Sequence, residues 1–185
     1  MVCPWWLCYS FDNPLRRLFH DPERLLGPYV KAGMTVVDIG CGMGYFTIGL
    51  ARQTGPEGKV IAVDLQQQML EALGRRSRRA GVADRIVLHR CSKKSLGVED
   101  SADFVFAFLM AHEVPDKSRF FGEILALLKP RGRLLLVEPK VHVTLRSLER
   151  TVAVCRETGF HVLEEPRVAL SRAFLLGRDQ EEAWE

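Results

Sequence analysis

The chain has 185 residues, enough for one full hydrophobic core and too few for two comfortable domains. Its 47% hydrophobic and 26% charged content is that of a globular protein, and 26 basic against 23 acidic residues leave a net charge of +3, too near balance to point to nucleic acid. No apolar run reaches membrane-spanning length, Met1 to Cys8 lacks the layout of a signal peptide, and five cysteines without framework spacing read as reduced thiols, so a cytoplasmic protein without stable membrane insertion is expected.

Residues 1–30 differ from the rest. Trp5 and Trp6 lie in an irregular aromatic opening and are read as packing or lid residues. Asp12-Asn13-Pro14 starts one expected helix, with Leu15, Leu18 and Phe19 on one side, and Asp21-Pro22 starts another, followed by Leu25, Leu26 and Tyr29. The two are expected to form a helical cap over the mouth of a core spanning residues 31–178. Cys3 and Cys8, with His20 further on, lack the tight spacing of a structural zinc site, and no metal is assigned.

From Lys31 on, apolar strands alternate with helical stretches. Strands are expected at 35–39, 60–64, 85–89, 104–109, 134–138, 161–165 and 173–176, and helices near 45–52, 67–80, 117–128 and 145–157. The helix after Asp116 keeps Phe120, Ile124 and Leu127 on one face, and the next does so with Leu145, Leu148, Val152 and Cys155. Gly81 and Gly159 stand where C-terminal caps belong, and Pro130 stops the helix before it. Such alternation predicts an α/β fold with a mostly parallel sheet and helices on both faces. The last two strands have no helix between them and should pair as an antiparallel hairpin at one edge.

The stretch Thr35-Val36-Val37-Asp38-Ile39-Gly40-Cys41-Gly42-Met43-Gly44-Tyr45-Phe46 reads as strand, tight turn and helix start. Three glycines at alternate positions let the backbone approach a ligand, while the new helix offers unpaired N–H groups and a positive dipole end. The dinucleotide fingerprint needs a third glycine where Tyr45 stands. Asp38, two residues before the first glycine, would repel a pyrophosphate and attract an amine.

This Asp-Ile-Gly-Cys-Gly-Met-Gly-Tyr run resembles motif I of the class I S-adenosylmethionine (SAM)-dependent methyltransferases, whose cofactor carries a sulfonium, an ammonium and a carboxylate but no phosphate. Leu128-Lys129-Pro130-Arg131-Gly132-Arg133-Leu134 is similar to the turn before that family's fifth strand, and the hairpin ending also resembles its sheet. The resemblance covers about residues 31–178. It implies a seven-stranded Rossmann-like sheet, SAM as cofactor, and a site at the carboxyl ends of the strands. Asp38, Gly40, Cys41, Gly42 and Gly44 would hold the amino-acid part, Asp64 the ribose hydroxyls, Leu65 a face of the adenine, and Met110 the far side of the cofactor. At the third strand exit the family usually offers an acidic or small polar residue to the adenine edge. Here Arg90-Cys91-Ser92 stands instead, so the contact falls to the Cys91 N–H or the Ser92 hydroxyl.

The fourth strand runs into Met110-Ala111-His112-Glu113-Val114-Pro115-Asp116. It lacks the Asn/Asp-Pro-Pro-Tyr motif of methyltransferases acting on bases or glutamine and looks like the small-molecule group that includes quinone-biosynthesis enzymes. His112 and Glu113 are the candidates to face the acceptor, with His112 either taking its proton or holding the cofactor or a helix end. Glu138-Pro139-Lys140 is read as a solvated strand exit, and the Arg75, Arg76, Arg78, Arg79 cluster as a solvated helix end favoured by the dipole. The function expected is methyl transfer from SAM to a small-molecule acceptor. A SAM-binding regulatory or partner protein without catalysis, or an NAD-dependent oxidoreductase, are the alternatives. The acceptor's identity and the oligomeric state stay open.

Overall fold

Val36, Val37 and Ile39 are almost wholly buried because the strand that carries them has a partner on each side and helices over both faces. The computed structural model describes residues 19–141 and 143–178. In chain order they form α1 (Pro22–Leu26), β1 (Thr35–Ile39), α2 (Tyr45–Thr54), β2 (Lys59–Asp64), α3 (Gln67–Arg79), β3 (Ile86–Arg90), β4 (Ala102–Phe108), α4 (Lys117–Leu127), β5 (Leu128–Pro139), α5 (Leu145–Glu157), β6 (Phe160–Glu164) and β7 (Ser171–Arg178), with short 3-10 turns at Ala83–Arg85 and Ala111–Glu113. The seven strands make one sheet in the order β3-β2-β1-β4-β5-β7-β6. The first five are mutually parallel, and β7 runs antiparallel between β5 and β6. The expected hairpin is therefore present with β6 as the outermost strand: with no helix to carry the chain across, β7 turns back beside it.

Alternation along the strands sorts side chains into two cores. Val37, Ile61, Val63, Val105 and Leu134 meet Phe121 and Ile124 of α4 and Cys155 of α5 on one face. Val36, Val60, Phe104, Phe106 and Leu135 meet Leu26, Phe46 and Leu50 on the other, with α3 alongside through Leu70 and Leu73. Both faces of β1, β2, β4 and β5 are covered, which is why these strands read as unbroken apolar runs.

Two details differ from the expectations. The Pro130 turn does not precede β5 but bulges out of it: Leu128 pairs with Ala102 and Arg133 already with Phe104. Gly132 is required there, since a Cβ would lie 2.8 Å from Leu128 Cδ2 and 3.0 Å from the Ala102 and Lys129 carbonyl oxygens. The segment expected to cap the mouth is also placed differently from Pro22 on. Asp21 starts α1 as expected, accepting from the Glu23 and Arg24 N–H groups at 2.9 and 3.0 Å. The helix then lies along the sheet, with Leu26 fully buried and Tyr29 stacked on Phe104 at 6.0 Å. His20 reaches the rim: its ring stands 5.1 Å from that of Phe108, and its carbonyl accepts from the Tyr45 hydroxyl. Trp5, Trp6, Cys3, Cys8 and the helix expected after Pro14 lie outside the described residues. Among those described, no helix is long and apolar enough to cross a membrane.

Candidate functional site at the carboxyl ends of the strands

At the end of β1 the chain turns through Gly40, Gly42 and Gly44, all at positive φ (73°, 53° and 85°). The Gly40 and Cys41 N–H groups both donate to the Val63 carbonyl, at 2.8 and 3.1 Å, which folds the turn against the end of β2. Gly44 is the residue before α2, and a Cβ there would collide with Leu73 Cδ1. No side chain caps α2 and its first turn holds no acid of its own, so the start of the helix offers backbone N–H groups at the rim.

Asp64 closes β2 and ties two turns together. One carboxylate oxygen accepts from the Gly42 N–H at 2.9 Å and the other from the Gln66 N–H at 2.8 Å. Burial raises the Asp64 carboxyl above the usual aspartate value, and hydrogen bonds from the Gln66, Gly42 and Leu65 backbone oppose that rise. Leu65 follows it, half-buried at the start of the β2–α3 turn. Asp38 is 2% exposed, and the Thr47 hydroxyl of α2 donates to it at 2.6 Å.

Cys41 has a different role from that of a side-chain contact. Its thiol packs with Ala62, Leu70 and Leu73, and burial, then Asp38 and Asp64, push it well above the usual thiol value. The two adenine-edge donors expected at the β3 exit are both committed elsewhere. The Cys91 N–H donates to the Asp64 carbonyl at 3.1 Å, extending the β2–β3 ladder. The Ser92 hydroxyl accepts from the Lys94 and Ser95 N–H groups and donates to the Ser95 carbonyl, closing a local turn. The Cys91 thiol is pushed up to about 11, chiefly by burial.

Across the rim, β4 ends in Leu109 at a left-handed φ of 56°, held by its N–H to the Val137 carbonyl of β5. Met110 then packs on the glycine turn, its Cγ 3.0 Å from where a Cβ on Gly40 would stand. The 3-10 turn carries His112 back over β5. There Glu138, 2% exposed, accepts the His112 backbone N–H on one oxygen at 2.9 Å and meets His112 Nδ1 with the other at 2.6 Å. Lys117 Nζ donates to the Ala111 carbonyl at 2.8 Å, and its ammonium is lowered in pKa by burial, against the opposing pull of Glu138 and Cys155. Glu113 shares the turn and is half-buried.

Glu138 is the site residue that sequence reasoning missed, and the reading of it as a solvated strand exit is corrected by its burial and by both bonds to His112. A signal was available. Asp38, Asp64 and Glu138 each follow a run of buried apolar residues on a strand, and an acid there ends inside the rim, where it must find donors. Asp38, Asp64, the three glycines and Met110 are brought together at the β1, β2 and β4 ends, and His112, on the turn after β4, and Glu138, on β5, stand beside them. A surface cleft of about 350 Å³ lies between α1 and the β6–β7 connection, walled by Arg24, Tyr29 and Arg167.

The described part of the rim is compatible with S-adenosyl-L-methionine: the start of α2, Asp38 and Asp64 stand together at the ends of β1 and β2. Comparison with known proteins agrees. Over 110 residues the chain is 36% identical to the demethylmenaquinone methyltransferase of Lactobacillus johnsonii, covering 59% of this chain and 45% of that protein. Over 139 residues it is 32% identical to the methyltransferase GfsG of Streptomyces halstedii, covering 75% of this chain and 48% of that one. The chain thus spans less than half the length of these relatives. The crystal structure of a SAM-dependent methyltransferase from Aquifex aeolicus superposes with a TM-score of 0.86 at 22% identity, covering 95% of this chain and 98% of that one, and shares the fold. The profile of the methyltransferase domain family matches residues 30–170. Since that match takes in the glycine turn, Asp64 and the His112–Glu138 pair alike, the chain belongs to the methyltransferase domain family.

Proposed function

We propose that this chain is a SAM-dependent methyltransferase acting on a small-molecule acceptor of the quinol type. The observation that carries the reading is the junction of two differently built halves on one rim, where Met110 of the β4 exit packs on Gly40 of the glycine turn. SAM, when bound, supplies an electrophilic methyl group on a sulfonium. Asp64 binds the ribose hydroxyls, Leu65 covers the adenine, the start of α2 receives the carboxylate, and Asp38 draws the ammonium. His112 faces the acceptor and takes its proton, with Glu113 beside it. Holding the partners in line is most of the task, since orientation supplies on the order of 7–11 kcal/mol of barrier lowering. The quinol class is supported by the likeness to the L. johnsonii demethylmenaquinone methyltransferase. The reading includes a cytoplasmic protein without a nucleic-acid partner.

Titration calorimetry with SAM and with S-adenosylhomocysteine tests the reading. Both bind the wild-type chain, and Asp64→Ala weakens them about 10–100-fold, the worth of one or two charge-assisted hydrogen bonds. Wild-type affinity in that variant would remove the ribose assignment, and no uptake of either compound by folded wild-type protein would sink the reading altogether.

A further inference from the structure

Glu138 does more than fill the end of β5. A carboxylate can only accept, and Glu138 faces two groups of a single residue, the backbone N–H and ring Nδ1 of His112, at 2.9 and 2.6 Å. It is 2% exposed, so its charge is balanced by these bonds and by the Lys117 ammonium rather than by water. Lys117 also holds the Ala111 carbonyl, one residue before His112, so the turn carrying the imidazole is fastened from both sides. From this geometry we infer that Glu138 is a positioning residue: it fixes the Nδ1–H tautomer of His112, sets the lone pair on Nε2, and so makes the site selective for acceptors that surrender a proton from the atom being methylated, a phenolic or enolic hydroxyl or a ring carbon activated by one.

The inference rests on the methyltransferase reading and names its acceptor class. In the step, an electron pair on the acceptor atom forms the bond to the methyl carbon, the carbon–sulfur bond breaks with its pair returning to sulfur, and the acceptor's proton passes to His112 Nε2. The imidazolium so formed is balanced by the Glu138 carboxylate on the opposite nitrogen. Without that carboxylate the neutral ring favours its proton on Nε2, where it has no lone pair to offer.

The test is ¹⁵N NMR of protein labelled in its histidines, with the His112 signals identified by their loss in His112→Asn, together with turnover of 1,4-naphthohydroquinone and SAM. Wild-type His112 shows the Nδ1–H tautomer. Glu138→Gln, which keeps the shape but has one oxygen for two donors, shows a mixture or the Nε2–H form. Its kcat falls about 100-fold, the low end for a lost general base, while the KM for the hydroquinone and the affinity for SAM change less than threefold. An Nε2–H tautomer in the wild type overturns the inference without reference to any variant, as does Glu138→Gln with wild-type tautomer or wild-type kcat. Wild-type protein that binds SAM but leaves the hydroquinone unmethylated overturns the acceptor class. Failure to bind SAM at all would sink the methyltransferase reading and leave the tautomer result standing, so the two failures are told apart.

Discussion

The two halves of the rim solve the same problem with different materials. On the β1–β2 side a carboxylate, Asp64, is satisfied by backbone N–H groups two and twenty-two residues away, and the surface offered to a ligand is a turn whose torsions demand glycine. On the β4–β5 side a carboxylate, Glu138, is satisfied by a residue twenty-six positions away, and the surface offered is a side chain. A backbone-built half is constrained by torsions that disfavour any side chain and, at Gly44, by lack of room as well. A side-chain-built half can keep its fold while its chemistry changes. The cofactor side is thus a fixed socket, and the acceptor side is where one residue can redirect specificity.

Substitutions in the socket should have the largest effect. Gly44→Ala combines a left-handed residue with a collision against Leu73, and is expected to cost about 2–4 kcal/mol in urea unfolding. Gly42→Ala, with open space around its Cβ, should cost only the torsional share, about 1–2 kcal/mol. Equal losses in the two would show that packing on α3 does not matter to the turn.

A smaller effect is expected at the buried Thr47–Asp38 bond. Thr47→Val removes the hydroxyl that donates to Asp38 at 2.6 Å and should destabilise the chain by about 1–3 kcal/mol, the cost of leaving a buried acceptor short of a donor. It should leave the His112 tautomer unchanged, because the bonds by which Glu138 holds His112 do not involve Thr47. A tautomer shift in Thr47→Val would break the comparison by showing that the socket and the acceptor side move together.

The smallest effect is alkaline. Cys155, beneath the acceptor side, is pushed up to about 12 and Cys91 up to about 11, mainly by burial. Both folded values lie above the unfolded thiol value of about 8.5, so the folded chain holds protons that the unfolded chain releases. Stability is therefore present in full below about pH 8.5 and declines as the pH rises toward 11–12. Half-buried Lys117, lowered by burial, pulls weakly the other way. Urea melts between pH 8 and 11 should show the decline, with a shallower slope in Cys91→Ala/Cys155→Ala; an unchanged slope would mean these thiols are not the groups that titrate.

What could be read in the chain follows from how local the physics is. Strand runs, helix faces and the cap at Asp21 depend on neighbours within a few residues, and the observed β1 and α5 bounds coincide with those expected. Asp38, the glycine turn and Asp64 were legible for the same reason: a helix start and a strand end leave their marks in adjacent residues. For Glu138 the apolar run before it signals burial, but its partner does not show, because His112 stands on a turn twenty-six residues away and an acid followed by Pro139 looks the same whichever donor it meets. The partners that the Cys91 N–H and the Ser92 hydroxyl take up could not be read either, since only the laid-down sheet shows where an N–H already points.

By itself the sequence determined the alternation of strands and helices, the glycine turn and the family, because each is written in short-range pattern and the backbone torsions it permits. Only the tertiary structure decided that α1 lies along the sheet rather than over its mouth, that β7 enters between β5 and β6, and that Glu138 grips His112. Those outcomes depend on burial and on donors brought together from distant parts of the chain, quantities that exist only once the sheet has closed around them.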